Sequence, residues 1–416
     1  MSNFDIIPNS HHPLIVNNGD DDDLFIITNN PRKTNPLKKL ILILAVCTVS
    51  ILILISIAAK LIVIFKQRSM NSRTNQNLTS TTTFTIPTTK KPILSSTKDS
   101  FSPSIPVNGI CANATWERNA ITVVGGNGMG INLNQIYATN FYIDQSDTIY
   151  VSDFWNYRVL KWNKGASNGI LIAGGNGPGN ASNQLYPLGL VVDKDGTMLI
   201  CDERNYRLQR WLPGALDGQT VISDLACSNL MYDGEGSLYA TESLKGRVLK
   251  WSPGSIKGSG TIVTNGRLDF PHGLFVDRDR SIYVTEWNLH TVIKWPVGAT
   301  IGMIVAGGNG QGPNLNQLKN PGAVIVDQSG TVYVLDTSNN RVVKWPKGAT
   351  SGTLVVGDIN GGSQANQLWF PGDLSFDRYG NLLVLDFFNY RIQKFMINRI
   401  SCDAKSPMTA TSIISK

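Results

Sequence analysis

Charge is scarce in this chain, and histidine and cysteine are scarcer. Charged residues make up 16% of the 416, with four histidines and five cysteines. Residues 111–402 carry 24 Lys/Arg and 23 Asp/Glu, a net of +1 (24 − 23). Neutralising a phosphate backbone needs clustered basic residues, so nucleic acid is not an expected partner of this stretch. No CxxC or Cys/His pair has the spacing of a zinc site, and no Ser/His/Asp or Cys/His nucleophile set stands out. No metal, cofactor or catalytic set is therefore assigned. The basic excess lies elsewhere: residues 1–110 carry 11 basic and 6 acidic side chains, a net of +5 (11 − 6).

What the chain has instead is repetition. Ile149–Trp162 reads IYVSDFWNYRVLKW, and its pattern returns at 198–211, 238–251, 282–295, 332–345 and 382–395. Each copy is an alternating apolar run, an acid, a polar turn and a second alternating run closed by an aromatic. Two short strands joined by a tight turn fit that pattern. The closing aromatics Trp162, Trp211, Trp251, Trp295, Trp345 and Phe395 stand 40 to 50 residues apart, the spacing of a four-stranded blade. Unit 170–211 shows all four strands: an outer one (LIAG), an inner one (LGLVVD) and the pair. The expected fold is all-β, a six-bladed β-propeller over 111–402. The chain enters with an outer-type strand, Ile121–Gly125, and leaves after the third strand of unit six. The first strand can then complete the last blade and remove an open edge. Cys111 and Cys402 bracket that seam, where a disulfide would clip the array shut. Cys201 and Cys227 fall on one rim of adjacent blades, either as a second disulfide or as two buried thiols.

The units resemble NHL repeats. PLGLVVD (187–193) followed by DERNYR (202–207) carries the resemblance, with DFWNYR (153–158), DTSNNR (336–341) and DFFNYR (386–391). It covers about 70% of the chain. It implies an NHL-type propeller but no single function, because the family includes secreted lyases, extracellular sensor domains of bacterial receptor kinases, and RNA- or protein-binding domains of tripartite-motif proteins. Within the pattern Asp153, Asp202, Asp336 and Asp386 read as structural acids that hold a turn, with Glu242 and Glu286 in units 3 and 4. VDKDG at 192–196 lacks the further ligands of a calcium loop, and GGNGMG at 125–130 has no helix after it to bind phosphate.

Ahead of the array, residues 1–37 read as a disordered cytoplasmic tail and 38–66 as a transmembrane signal-anchor helix. Leu40 to Ala59 is 20 residues without a charge, about the length that crosses a bilayer. A buried core helix and a cleavable signal peptide are the alternatives. Basic residues flank both ends of the 40–65 run, with a slight lean to a cytoplasmic N terminus. Residues 67–110 are Thr/Ser/Pro-rich and read as a disordered stalk; 403–416 read as a disordered tail. Asn77, Asn113 and Asn180 sit in N-x-S/T sequons.

Candidate binding residues are those that vary while the frame repeats. The turns between second and third strands carry Phe154, Trp155, Trp287, Phe387 and Phe388. The first two and the last two are expected to form one apolar patch across the seam. Aligned inner-strand positions place Asn140, Asn229, His272 and Asp373 at the mouth of the central channel. The main expectation is a single-pass membrane protein whose extracellular or lumenal propeller binds a protein, peptide or glycan. One alternative is a metal-dependent lyase or hydrolase using His272, His290 and Asp373. It resembles the peptidyl-hydroxyglycine amidating lyases, whose three zinc histidines this array lacks. The other is a cytosolic NHL domain with RNA or ubiquitin-pathway partners.

Overall fold

The computed structural model describes Ile110 and residues 113–264 and 266–398. The expected tail, the membrane span, the stalk as far as residue 109, Asn77, Cys111, Cys402 and residues 403–416 lie outside these, while Ile110, expected as the last stalk residue, is buried against the propeller. Among the described residues no helix is long and apolar enough to cross a membrane.

Six four-stranded antiparallel sheets form the array. Blade 1 runs Asn140–Ile143, Ile149–Asp153, Arg158–Trp162 and Ile170–Gly174 from the inner to the outer strand. Blades 2 to 5 repeat this order. Blade 6 takes three strands from the C-terminal end, Asp373–Phe376, Leu382–Asp386 and Arg391–Phe395, and its outer strand from the N-terminal end, Ile121–Gly125. The seam closes as the sequence implies. Outside the blades, Thr115–Trp116 pairs with Ile397–Asn398 in a two-stranded clasp that the repeat pattern does not contain.

Burial explains why the apolar alternation is real yet does not separate core from solvent. All five residues of every second strand are buried, because each face of a blade packs on a neighbouring blade. Alternate side chains therefore serve two different interfaces. Outer strands meet a neighbour on one side only, and their first residues are exposed. The closing aromatics are fully buried. A glycine in the turn to the outer strand lets backbone lie on the indole: a Cβ at Gly169 would sit 2.5 Å from the Trp162 ring.

The turn inside the repeat is more specific than a plain hairpin. In blades 1, 2, 5 and 6 it is a short 3-10 turn that exits through one left-handed residue: Tyr157, Tyr206, Asn340 or Tyr390. At the other rim, Asp193, Asp233, Asp277, Asp327 and Asp377 each accept backbone N–H groups of the turn from inner to second strand. These acids hold the turns.

Cys201 and Cys227 are disulfide-bonded, with Cα atoms 5.6 Å apart, joining the second strand of blade 2 to the inner strand of blade 3. The 26-residue separation gives a loop-entropy contribution of about 3.5 kcal/mol. The double Cys→Ala variant should lose about 2–4 kcal/mol in urea denaturation. Unchanged stability would show that the two cysteines act only as small buried side chains.

Candidate functional site

The rim that carries the second-to-third-strand turns is built on a fixed acid. Asp153 accepts the Tyr137 N–H at 2.6 Å, the Asn156 amide at 2.9 Å and Arg158 Nε at 2.7 Å. Asp202, Asp336 and Asp386 do the same through Arg207, Arg341 and Arg391. Burial pushes Asp153, Asp336 and Asp386 up from the ordinary carboxylate value, and these donors oppose it. Each neighbouring asparagine reaches on to a loop carbonyl, as Asn156 does to Gly130. In the departing units Glu242 meets Lys245 at 2.9 Å and Arg247 at 2.6 Å, while Glu286 accepts the Thr291 hydroxyl at 2.9 Å. The sequence changes in blades 3 and 4 are thus met by local partners.

Four loops before inner strands carry Asn-Gln-Ile or Asn-Gln-Leu, at 134–136, 183–185, 316–318 and 366–368, and these too belong to the frame. Gln135 donates to the Asn127 carbonyl and accepts the Asn132 N–H. Ile136, Leu185, Leu318 and Leu368 are completely buried. The following residue is aromatic in three of the four loops, Tyr137, Tyr186 and Trp369, and these stand on the rim.

With them the turn aromatics form a continuous crescent. Phe154 meets Tyr186 at 6.2 Å and Trp155 at 5.3 Å between ring centres. Trp155 stacks on Tyr137 at 5.5 Å, and Tyr137 meets Phe387 at 5.1 Å across the seam. Phe387 meets Phe388 at 5.0 Å and Phe370 at 6.4 Å. Phe370 meets Trp287 at 6.2 Å, and Trp287 meets His272 at 5.7 Å. The Arg204 guanidinium lies 5.3 to 5.7 Å over Phe154, Trp155 and Tyr186. Trp155 and Trp369 are 42% and 53% exposed, whereas Phe154 is 7% exposed and supports the others. Across the seam, Tyr137 bridges the Phe154–Trp155 pair to the Phe387–Phe388 pair. Sequence reading missed Tyr137, Tyr186, Arg204, Trp369 and Phe370. The signal was available: an aromatic directly after Asn-Gln-apolar in NQIY, NQLY and NQLW.

At the channel mouth the strand register puts Asn140, Asn229 and Asp373 at equivalent positions, opposite Ser152, Thr241 and Leu385. His272 stands one residue earlier, and Gly273 holds the equivalent place, its N–H on the Thr285 hydroxyl as Asn229 N–H is on Thr241. His272 Nδ1 donates to the Gly322 carbonyl at 2.7 Å, and burial pushes its pKa down against that hydrogen bond. His290 Nδ1 instead accepts the Asn320 N–H, which ties a loop. Among the described residues no group of three or more His, Cys, Asp and Glu could hold a metal ion.

Asp373 is buried and pushed up to about 7 by desolvation, against N–H donors from Phe141 of blade 1 and Leu374. An acid whose folded pKa is raised favours the folded state fully below its unfolded value, 3.8, and loses that contribution as pH rises towards about 7. Thermal denaturation midpoints should therefore fall over this window, and Asp373→Asn should flatten the fall. An unchanged slope would assign it to other groups.

Comparison with known proteins gives a fold and nothing closer. No protein-family model matches the chain, and no curated protein does. A protein of unknown function from Bacteroides thetaiotaomicron is similar at 15% identity, over 67% of this chain and 76% of that one, with a TM-score of 0.53. An auxiliary nutrient binding protein from the same organism is similar at 13%, over 68% and 77%, with a TM-score of 0.52. A gluconolactonase from Xanthomonas campestris is similar at 15%, over 71% and 98%, with a TM-score of 0.49. At these identities the likeness to the two Bacteroides thetaiotaomicron structures shows the propeller fold alone.

Proposed function

We propose that this is a single-pass membrane protein, its N terminus cytoplasmic and anchored through residues 40–65, that holds the propeller in an extracellular or lumenal space. Its rim binds a protein, peptide or glycan ligand. The observation that carries the binding reading is the aromatic crescent from Tyr186 to Trp287, with Trp155 and Trp369 open to solvent. Exposed contiguous aromatics are typical binding anchors. The Cys201–Cys227 disulfide and the exposed sequon residues Asn113 and Asn180 agree with an oxidising, glycosylating compartment.

Two experiments test this. The full chain, screened on glycan arrays and displayed peptide libraries, should return ligands whose affinity falls at least about tenfold with Trp155→Ala or Trp369→Ala. Ligands indifferent to both variants would move the binding face elsewhere. Protease protection on intact cells, read with antibodies to each end, should protect only the N terminus. Protection of the propeller would favour the cytosolic reading. A lyase or hydrolase at the channel mouth is the second reading, favoured by Asp373, a carboxyl poised near neutrality. Stoichiometric zinc lost on His272→Ala would promote it.

A further inference from the structure

The N-terminal segment shows how this propeller grips a peptide. Ile110, Ala114 and Trp116 are buried between blades 5 and 6. The Trp116 ring stacks on Phe376 at 5.7 Å and meets Tyr333 edge-on at 5.6 Å. Its Nε1 donates to the Gly380 carbonyl at 2.9 Å, and Lys344 Nζ donates to the Ala114 carbonyl at 2.9 Å. The socket thus has four parts: a tyrosine and a lysine paired across strands two and three of one blade, an apolar strand-end residue and a turn glycine of the next.

The repeat supplies the same parts one blade earlier. Tyr283 and Lys294 are paired as Tyr333 and Lys344 are. Val326 holds the strand-end place of Phe376, and Gly330 that of Gly380, at φ 82 against 83. These four residues line a cleft of about 1170 Å³ down the flank between blades 4 and 5. Phe275 adds an aromatic wall, edge-on to Tyr283 at 6.4 Å, and none of the rim aromatics lines the cleft. The lysines differ with the filling of their grooves. Lys294 lies 4.9 Å over its own Tyr283 and 3.7 Å from Asp277, whereas Lys344 is turned onto the segment, 5.9 Å over the Trp116 ring. A Cβ at Gly380 would meet Ile110 at 3.3 Å; one at Gly330 would meet only the Lys347 side chain, at 3.8 Å.

We propose that this cleft docks an extended peptide of a partner protein, anchored by a tryptophan, in the manner of Ala114–Trp116. Lys294 turns to a peptide carbonyl two residues before the indole, Gly330 accepts the indole N–H, and Tyr283 and Phe275 pack its ring. Charge agrees with an uncharged peptide. Asp277, Asp279 and Asp327 line the cleft beside Arg278, Lys294 and Lys347, and residues 110–116 carry no charge. The site is independent of whatever the rim binds.

The test uses the full chain in detergent micelles and a fluorescent peptide copying residues 110–118, with serine in place of Cys111. Fluorescence anisotropy should show saturable binding that weakens at least about tenfold when the peptide tryptophan becomes alanine. Lys294→Ala and, on the exposed outer strand, Ile304→Asp should each weaken it similarly. Lys250→Ala, the equivalent change one blade further back, should not. Absence of binding at millimolar peptide, or equal binding of the alanine peptide, would overturn the proposal. Binding that ignores Lys294→Ala and Ile304→Asp would mean exchange with the chain's own segment between blades 5 and 6, and would overturn it too. Self-association of the full chain that is lost in Lys294→Ala would replace the partner peptide by a second copy.

Discussion

Asp336→Ala should destabilise the propeller by about 3–5 kcal/mol in urea denaturation, through the charge it leaves behind. Asp336 is completely buried. It accepts the Lys319 N–H at 2.6 Å, Arg341 Nε at 2.8 Å and the Asn339 amide at 2.8 Å. The attraction within such a pair is largely cancelled by desolvation, so the intact pair adds little net stability. Removing one partner is different. Arg341 is 4% exposed, held by the carbonyls of Pro313 and Asn314, and cannot swing out to water. Its charge would stay buried without a counter-ion, and the Lys319 N–H would lose its acceptor. Glu286 gives the internal control. Its cross-strand partner is the Thr291 hydroxyl at 2.9 Å, so Glu286→Gln leaves no stranded cation and should lose less, about 1–2 kcal/mol. Equal losses at both positions would refute the stranded-charge account.

That contrast shows how far the sequence could be read. The acid, the asparagine three residues on and the arginine five residues on were legible as a frame because they recur in four units at fixed spacing. Repetition also gave the blade count, the closing strand Ile121–Gly125 and the structural role of the turn acids. What was not legible lies between units. The crescent forms because Tyr137, from one loop, bridges Trp155 of blade 1 and Phe387 of blade 6. A repeat alignment compares equivalent positions and does not show neighbours from different positions. His272 is different, because its place was legible: Asn140, Asn229 and Asp373 stand four residues before Asp144, Asp233 and Asp377, whereas His272 stands five before Asp277, as Ser228 does before Asp233. The inner strands of blades 3 and 4 open with the same backbone irregularity, so the count along the strand carries over between them. The clasp of Thr115–Trp116 with Ile397–Asn398 has no sister copy, so repetition was silent about it.

The clasp leads to the second large effect. Trp116→Ala should lose about 3–5 kcal/mol, the range for truncating a buried large aromatic. Two outcomes compete. If the clasp is a passenger, the segment detaches locally and global unfolding is unchanged. If it is part of the closure, the loss appears in the global transition. The structure favours closure. The indole packs on both blade 5 and blade 6, and the Ala120 N–H, between the clasp and the closing strand, is held by the Ala365 carbonyl at 2.9 Å. Releasing Trp116 therefore loosens the approach to Ile121–Gly125, whose ladder with Arg391–Phe395 joins the chain ends. Trp116→Phe keeps the ring packing and loses the hydrogen bond to Gly380, so it should lose only about 1–2 kcal/mol. Lys344 supplies a second readout. Burial now holds its pKa down, and its amine lies on the Ala114 carbonyl. In Trp116→Ala it should turn back towards Asp327, as Lys294 lies near Asp277, and its pKa should rise. A variant with unchanged global stability but faster hydrogen exchange at residues 113–118 would make the clasp a passenger, and blade 6 would then be closed by its ladder alone.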